Sequence, residues 1–121
     1  MSIKSFTNID AWIKARSLVS DIYKFTGSDS MKYDYSFKDQ IRRASVSIMS
    51  NIAEGFDSGT DKSFISFLNY SYRSASEVES LLYVALDVGY IHPDCQEKLI
   101  LKTQEIKRLI GGFIKYLKSK Q

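Results

Sequence analysis

The stretch that decides the fold is residues 36–55, SFKDQIRRASVSIMSNIAEG, because its apolar residues recur at helical spacing on two different faces. The first stripe, which a monomeric bundle would bury, consists of Phe37, Ile41, Ala44, Ile48 and Ile52. The second stripe lies about a third of a turn away at ~100° per residue and consists of Val46, Met49, Ala53 and Phe56. We therefore predict a helix 2 over about residues 36–57 with more apolar surface than one monomer buries.

The surplus apolar surface predicts a protein contact, because exposed patches of this kind on a small protein usually mark interaction sites. Helix 3 shows the same surplus, and tyrosines on its flanks suit half-wet interfaces. The predicted homo-oligomer interface consists of Val46, Met49, Ala53, Phe56, Tyr70 and Tyr72. The alternative is that helix 1, or a loop at residues 27–35 that carries Met31, Tyr33 and Tyr35, covers this surface within one chain.

Capping signals bound the first two helices. Thr7 with Asp10 resembles a capping box, which predicts helix 1 over about residues 8–26. We expect Gly27 to end this helix in the left-handed backbone conformation. Ser36 with Asp39 repeats the capping pattern before helix 2.

Helix 3 has the clearest heptad pattern in the chain. Its stripe consists of Phe64, Leu68, Ser71, Ala75, Val78, Leu82, Ala85 and Gly89. We predict helix 3 over about residues 61–88, capped by Asp61, and helix 4 over about residues 93–118, with Pro93 at its first position. The short connections imply antiparallel neighbours. The predicted fold class is all-α, a single domain over residues 1–121 that forms an antiparallel up-down-up-down four-helix bundle and assembles into a ring.

Composition argues against several classes of function. No apolar stretch reaches the ~20 residues of a membrane span, and residues 1–7 lack a signal-peptide core, so we expect a cytoplasmic protein without a membrane contact. The chain has one cysteine, Cys95, and one histidine, His92, and neither has a partner at metal-ligand spacing. We expect no metal, no cofactor and no catalytic residue, and hence no enzyme.

A polar seam borders the core stripe of helix 2, and it has two interpretations. In the structural one, antiparallel pairing predicts an ion pair from Arg42 or Arg43 to Glu79, while Asn51 and Glu54 form an interhelical hydrogen-bond set. In the functional one, basic residues contact nucleic-acid phosphates, and an arginine beside Tyr70 and Tyr72 assists base stacking. The candidate nucleic-acid residues are Lys38, Arg42, Arg43 and Arg73.

The net charge of +3 is mild for a nucleic-acid-binding protein. This charge supports nucleic-acid binding only if several copies assemble and combine their charge around a shared surface. The lysines of helix 4 are interpreted as a solvated face, with weak, salt-dependent attraction to a nucleic-acid backbone as the alternative.

Residues 40–55, QIRRASVSIMSNIAEG, resemble the signature of the 23S rRNA intervening sequence protein, or S23, family. The resemblance extends over about residues 9–115, through Trp12-x-Lys14-Ala15, Phe67-Leu68, residues 76–81 (SEVESL) and residues 89–91 (GYI). Besides the two arginines, the motif positions interpreted as structural are Gln40, Asn51, Glu54, Gly55, Glu77 and Glu79. One departure is Met49, where the family usually has a proline that would kink the helix.

The resemblance implies a bacterial four-helix protein that assembles into a homopentameric ring. Some members are encoded within insertions in the large ribosomal RNA gene, and a relative, the accessory variability determinant of diversity-generating retroelements, contacts nucleic acid and reverse transcriptase. We therefore expect a non-catalytic homo-oligomeric scaffold that associates with ribosomal RNA or other nucleic acid. The alternative is a module that docks a partner protein, such as a reverse transcriptase or a ribonucleoprotein component, without binding RNA itself.

Overall fold

Four α-helices make up most of residues 3–120, the part of the chain that the computed structural model describes. Within that range no strand occurs, and short 3-10 turns precede α1 and α2 at Phe6–Asn8 and Asp29–Met31. The helices are α1 (Asp10–Thr26), α2 (Tyr35–Phe56), α3 (Asp61–Asp87) and α4 (Pro93–Ser119). The predicted all-α fold class is confirmed.

The helices alternate in direction, since contacts across each seam run in opposite order along the two helices. Between α2 and α3, Gln40 lies against Glu77 and Ser47 lies against Ser74. Between α3 and α4, the paired residues are Asp61 with Lys120 and Glu79 with Gln104.

α4 returns to α1 and closes the bundle. Lys14 pairs with Glu105 at 3.2 Å, and Lys102 pairs with Asp21 at 2.6 Å, again in antiparallel order. The connectivity is therefore up-down-up-down, as the short connections predicted.

The core stripes predicted for α2 and α3 are buried. All five residues of the α2 stripe are at most 8% exposed, and so are the seven α3 positions from Phe64 to Ala85. The eighth position, Gly89, lies exposed beyond the end of α3. Burying a large aliphatic side chain stabilises a protein by about 1.5–3 kcal/mol, so these stripes hold the helices together.

The predicted capping of α1 is wrong at both ends, although the helix ends at Thr26 as predicted. No side chain caps its N-terminus, where Ile9 occupies the capping position; the Ser5 hydroxyl instead accepts a hydrogen bond from the Thr7 backbone N–H in the preceding 3-10 turn. Gly27 has φ −83°, which is not left-handed. The left-handed glycines are Gly59 and Gly89, which stand in the turns that follow α2 and α3.

The caps of α2 and α3 lie earlier in the chain than predicted. Asp34, not Ser36, accepts a hydrogen bond from the backbone N–H of Phe37, at 3.1 Å. Thr60, not Asp61, accepts one from the backbone N–H of Ser63, also at 3.1 Å. In both helices the capping oxygen belongs to the residue just outside the helix. Where several oxygen-bearing side chains lie close together, spacing alone does not identify that residue.

Part of the second apolar stripe of α2 is covered by the same chain. Met49 and Phe56 are half-buried and pack against the core, while α1 and the 3-10 turn at Phe6–Asn8 both contact α2. Val46 is 38% exposed. Met49 and Phe56 are therefore partly covered within one chain, Phe56 by Phe64 of α3, whereas Val46 still faces outward.

Asp34 joins two connections that are distant in sequence. Its carboxylate accepts the Tyr90 hydroxyl at 2.6 Å as well as the N–H at the start of α2. The Tyr90 hydrogen bond, followed by the Phe37 N–H, lowers the pKa of Asp34 below its ordinary value, and the same bond raises the pKa of Tyr90.

Removing the Tyr90 hydroxyl should change how stability depends on pH. Because the pKa of Asp34 is lower in the folded protein, its stabilising effect is complete above the ordinary aspartate pKa of about 4 and is lost as pH falls through the folded value. Tyr90→Phe should therefore lose less stability than the unmodified protein between about pH 7 and pH 3. Urea unfolding at both pH values measures this, and identical losses in the two proteins would contradict it.

Candidate nucleic-acid interface

The outer face of α2, from Tyr35 to Glu54, lines an open groove that extends to Tyr23 of α1 and has a volume of about 1020 Å³. Lys38, Arg42 and Arg43 all line it. These three predicted nucleic-acid residues are brought together because they lie within two turns of one helix.

Lys38 and Arg42 each lie against an aromatic ring. The Lys38 Nζ is 5.0 Å from the ring centroid of Tyr35 and donates a hydrogen bond to the Lys32 carbonyl. The Arg42 Cζ is 4.5 Å from the ring centroid of Tyr23, and its Nε donates to the Thr26 hydroxyl at 2.8 Å. Arg42 is thus held against α1, with its charge at the groove wall.

Arg43 points away from the bundle. Its Nε lies 2.8 Å from the Asp39 carboxylate one turn earlier, and its side chain is 79% exposed. An exposed pair of this kind contributes at most about 1 kcal/mol and exchanges easily for another anion. The adjacent arginines therefore have different roles, Arg42 facing α1 and Arg43 facing solvent.

Arg73 does not join this groove. It lies on the exposed face of α3, where its Cζ is 4.9 Å from the ring centroid of Tyr70. Tyr72, the other predicted stacking residue there, lies under the Lys107 ammonium of α4 instead, at 5.1 Å. The four predicted nucleic-acid residues thus divide between two surfaces.

Three tyrosines that the sequence interpretation did not select as nucleic-acid residues lie at or near the groove. Tyr33 and Tyr35 are 77% and 68% exposed, and Tyr23 is 46% exposed. The Lys32 Nζ lies 5.6 Å from the Tyr33 ring, so each of the three tyrosines faces a cation. The spacings Lys32-Tyr33 and Tyr35-x-x-Lys38 are visible in the sequence and could have indicated two of these cation–ring contacts. The Arg42–Tyr23 contact could not, because it depends on the packing of α1 against α2.

The predicted ion pair between Arg42 or Arg43 and Glu79 is wrong. Glu79 accepts hydrogen bonds from Gln104 at 3.0 Å and from Lys107 at 3.2 Å, both on α4. It faces that seam rather than α2. Across the α2–α3 seam the long polar contact is Gln40 to Glu77, at 3.2 Å.

The predicted interhelical hydrogen bonds of Asn51 and Glu54 are not formed. Asn51 donates to the carbonyl and hydroxyl of Ser47 within α2, and Glu54 is exposed. Besides the Gln40–Glu77 contact, serines make hydrogen bonds between α2 and α3: the Ser71 hydroxyl donates to the Ile48 carbonyl at 2.7 Å, and the Ser74 hydroxyl donates to Ser47 at 2.9 Å. Short side chains can bond only where the backbones are close, so these serines mark a tight seam.

Gly55 lies in the same seam, at a point where α3 approaches α2 closely. A Cβ on this residue would lie 2.7 Å from the Phe67 Cβ and 2.9 Å from the Phe64 Cδ1. Glycine is therefore required here because α3 approaches, and the motif position has a packing explanation.

The remaining predicted interface residues keep surface available in the single chain. Tyr70 and Tyr72 are 51% and 38% exposed, and Ala53 is half-buried.

In residues 3–120, no group of three or more metal-ligating side chains comes together. Over the same range, no helix has the length and hydropathy to cross a membrane.

The architecture places the chain in the class of small antiparallel four-helix bundles. The family model described as 23S rRNA-intervening sequence protein matches residues 7–112, and the chain belongs to this family. A solved structure has the same fold with a TM-score of 0.80; it is described as a protein with unknown function from the S23 ribosomal protein family of Bacteroides thetaiotaomicron. The two chains are 24% identical, over 87% of this chain and 95% of that one. No curated protein matches.

Proposed function

We propose that the protein is a non-catalytic homo-oligomeric scaffold that associates with RNA through the groove on α2, with a preference for single-stranded segments. The observation that carries the proposal is a set of exposed tyrosines: Tyr23 and Tyr35 line the groove together with Arg43, and Tyr33 lies two residues before Tyr35. Each of the three rings has a cation 4.5–5.6 Å from its centroid. Ribosomal RNA is the leading candidate because the family is described by it.

The chemistry of the cluster suits unpaired bases. Each exposed tyrosine offers a flat π-face on which any base can stack, and a nearby ammonium or guanidinium can bind the adjoining phosphate. Residues 23–42 contain three contacts of this kind between a cation and a tyrosine ring. A duplex would hide its bases from these rings, which is why single strands are preferred.

Oligomerisation supplies the charge that one chain lacks. A single copy has a net charge of only +3, but electrostatic potentials from neighbouring copies add in shared clefts. Tyr70 and Tyr72, which lie outside the groove, offer exposed surface for the contact between copies, whereas Val46 lines the groove itself. We propose a ring, as the family resemblance suggests, located in the cytoplasm where ribosomal RNA lies.

The proposal assigns no catalysis to the groove. Its lining contains neither histidine nor cysteine, and His92 and Cys95 line a separate cleft. What the groove residues provide is charge, hydrogen-bond donors and aromatic faces, which are the requirements of binding.

Fluorescence anisotropy with a labelled oligouridine of about 20 nucleotides tests the proposal. Binding should weaken steeply between about 50 and 200 mM salt, because phosphate contacts release counterions. Tyr33→Ala with Tyr35→Ala should weaken it by about tenfold or more, since stacking contributes about 1–3 kcal/mol per base. Arg43→Glu should weaken it as well, and a duplex of equal length should bind less tightly than the single strand.

Tyr83→Ala is the matched control, because Tyr83 is 52% exposed on α3 and does not line the groove. It should leave RNA binding unchanged. The absence of RNA retention at low salt would refute the RNA association, and a monodisperse monomer by light scattering would refute the homo-oligomer.

The second candidate function is docking of a partner protein, favoured by the exposed pair of Tyr70 and Arg73 on α3. Tyrosine and arginine dominate the energetics of protein interfaces. In this case Tyr70→Ala should remove a protein that co-purifies from the native host, while RNA retention stays the same. Identifying both protein and RNA in that eluate separates the two functions.

A further inference from the structure

A second cleft lies on the opposite side of α1 from the groove, where the last turns of α1 meet the start of α4. Its volume is about 690 Å³, within the ~300–1,000 Å³ range of small-molecule sites. Among the neighbouring helix pairs, α1 and α4 make the sparsest contact. The ion pair between Lys102 and Asp21 lines the cleft at this end of the seam.

The walls of this cleft are apolar at depth and cationic above. Phe25, Tyr90, Ile91 and Leu99 line it; Leu99 is buried and the other three are half-buried. Lys24 and Lys98 also line it and are exposed. Within residues 3–120 neither lysine has a carboxylate within 4.0 Å, and the cleft's one carboxylate, Asp21, is bonded to Lys102.

We propose that this cleft binds a small amphipathic anion, whose aromatic or acyl part packs on Phe25, Ile91 and Leu99 and whose acid group meets Lys24 and Lys98. An apolar group packs on the deep walls of the cleft, and one negative charge pairs with the two lysine ammonium groups, which have no carboxylate beside them in the described part of the chain. Neither an uncharged apolar molecule nor a highly charged hydrophilic anion satisfies both. The site is separate from the α2 groove and does not depend on RNA binding.

Two dyes with the same ring system distinguish the two requirements. The anion 8-anilinonaphthalene-1-sulfonate should bind the purified protein saturably with enhanced fluorescence, and the uncharged N-phenyl-1-naphthylamine should bind at least about tenfold more weakly. Decanoate, which has an unrelated apolar part and one carboxylate, should displace the sulfonate.

Charge reversal places the dye in the cleft. Lys24→Glu with Lys98→Glu should weaken sulfonate binding by about tenfold or more, since two attractions become repulsions. Ser28→Trp, which adds bulk at an exposed lining position, should also weaken it without any change in charge. The matched control is Lys115→Glu with Lys118→Glu, which alters net charge equally at exposed positions on the far part of α4. It should retain binding.

Several results would overturn the proposal. These are no saturable sulfonate binding, equal loss in the control and the cleft variant, retention of binding in both cleft variants, or binding of the uncharged dye as tightly as the anion. Circular dichroism of each variant confirms that its helices are intact before the titration is interpreted.

Discussion

Gly55→Val is expected to destabilise the protein by about 3 kcal/mol. The substitution places carbon atoms where α3 already lies, because even a Cβ would approach Phe67 to 2.7 Å. That neighbour is a Cβ attached directly to the backbone of α3, so relief requires the two helices to move apart. Separation would also stretch the Ser71–Ile48 hydrogen bond in the same seam. Urea unfolding followed by circular dichroism measures the loss.

Gly111→Ala gives the matched control, because it adds a methyl group to a helix glycine with open space around it. Alanine should stabilise α4 by about 1 kcal/mol relative to glycine. Similar changes in the free energy of unfolding at the two positions would show that close approach of α3 is not what requires Gly55.

Lys107→Met is expected to destabilise the protein by about 2 kcal/mol. The side chains of Lys107 and Glu79 are 22% and 19% exposed, so the pair is mostly removed from water. Methionine preserves the apolar stem of the lysine but leaves the Glu79 carboxylate with Gln104 as its remaining hydrogen-bond donor. An inadequately paired, mostly buried charge is more costly than the absence of the pair.

The double variant Glu79→Leu with Lys107→Met should recover most of that stability, since no charge is then left in the seam. Thermal unfolding of both single variants and the double variant forms a complete cycle. If the double variant lost the sum of the two single losses, the side chains would act independently and the explanation would fail.

The fold could be predicted from the sequence where apolar spacing alone determines the result. The stripe from Phe37 to Ile52 and the heptad from Phe64 to Ala85 lie in the core because each has one face and one period. The caps were less accurate, since Asp34, Ser36 and Thr60 all belong to clusters of oxygen-bearing residues. A helical-wheel projection also does not show which neighbour covers a helix face. From the sequence, burial of Met49 and Phe56 within the chain could therefore not be distinguished from burial against a second copy.

The candidate site could be predicted only where its residues share one helix. Lys38, Arg42 and Arg43 lie together because helical geometry places them so. The Arg42–Tyr23 contact and the Glu79–Lys107 pair depend on how separate helices are rotated about their axes. An antiparallel alignment shows which residues lie at the same level along two helices, but not how each helix is rotated about its axis. The predicted partner of Glu79 was therefore on the wrong helix.

The hydrogen bond between Asp34 and Tyr90 also has a consequence for motion. It joins the start of α2 to the turn before α4, while the neighbouring helix pairs depend on contacts along their own seams. Opening that bond, together with the Phe37–Tyr90 ring contact beside it, frees the first turn of α2 and the residues around Tyr90 together. Their backbone amides should therefore exchange hydrogen as one cooperative unit, faster than the middle of α2, and local fluctuations at this end should spread across both connections rather than stay in one.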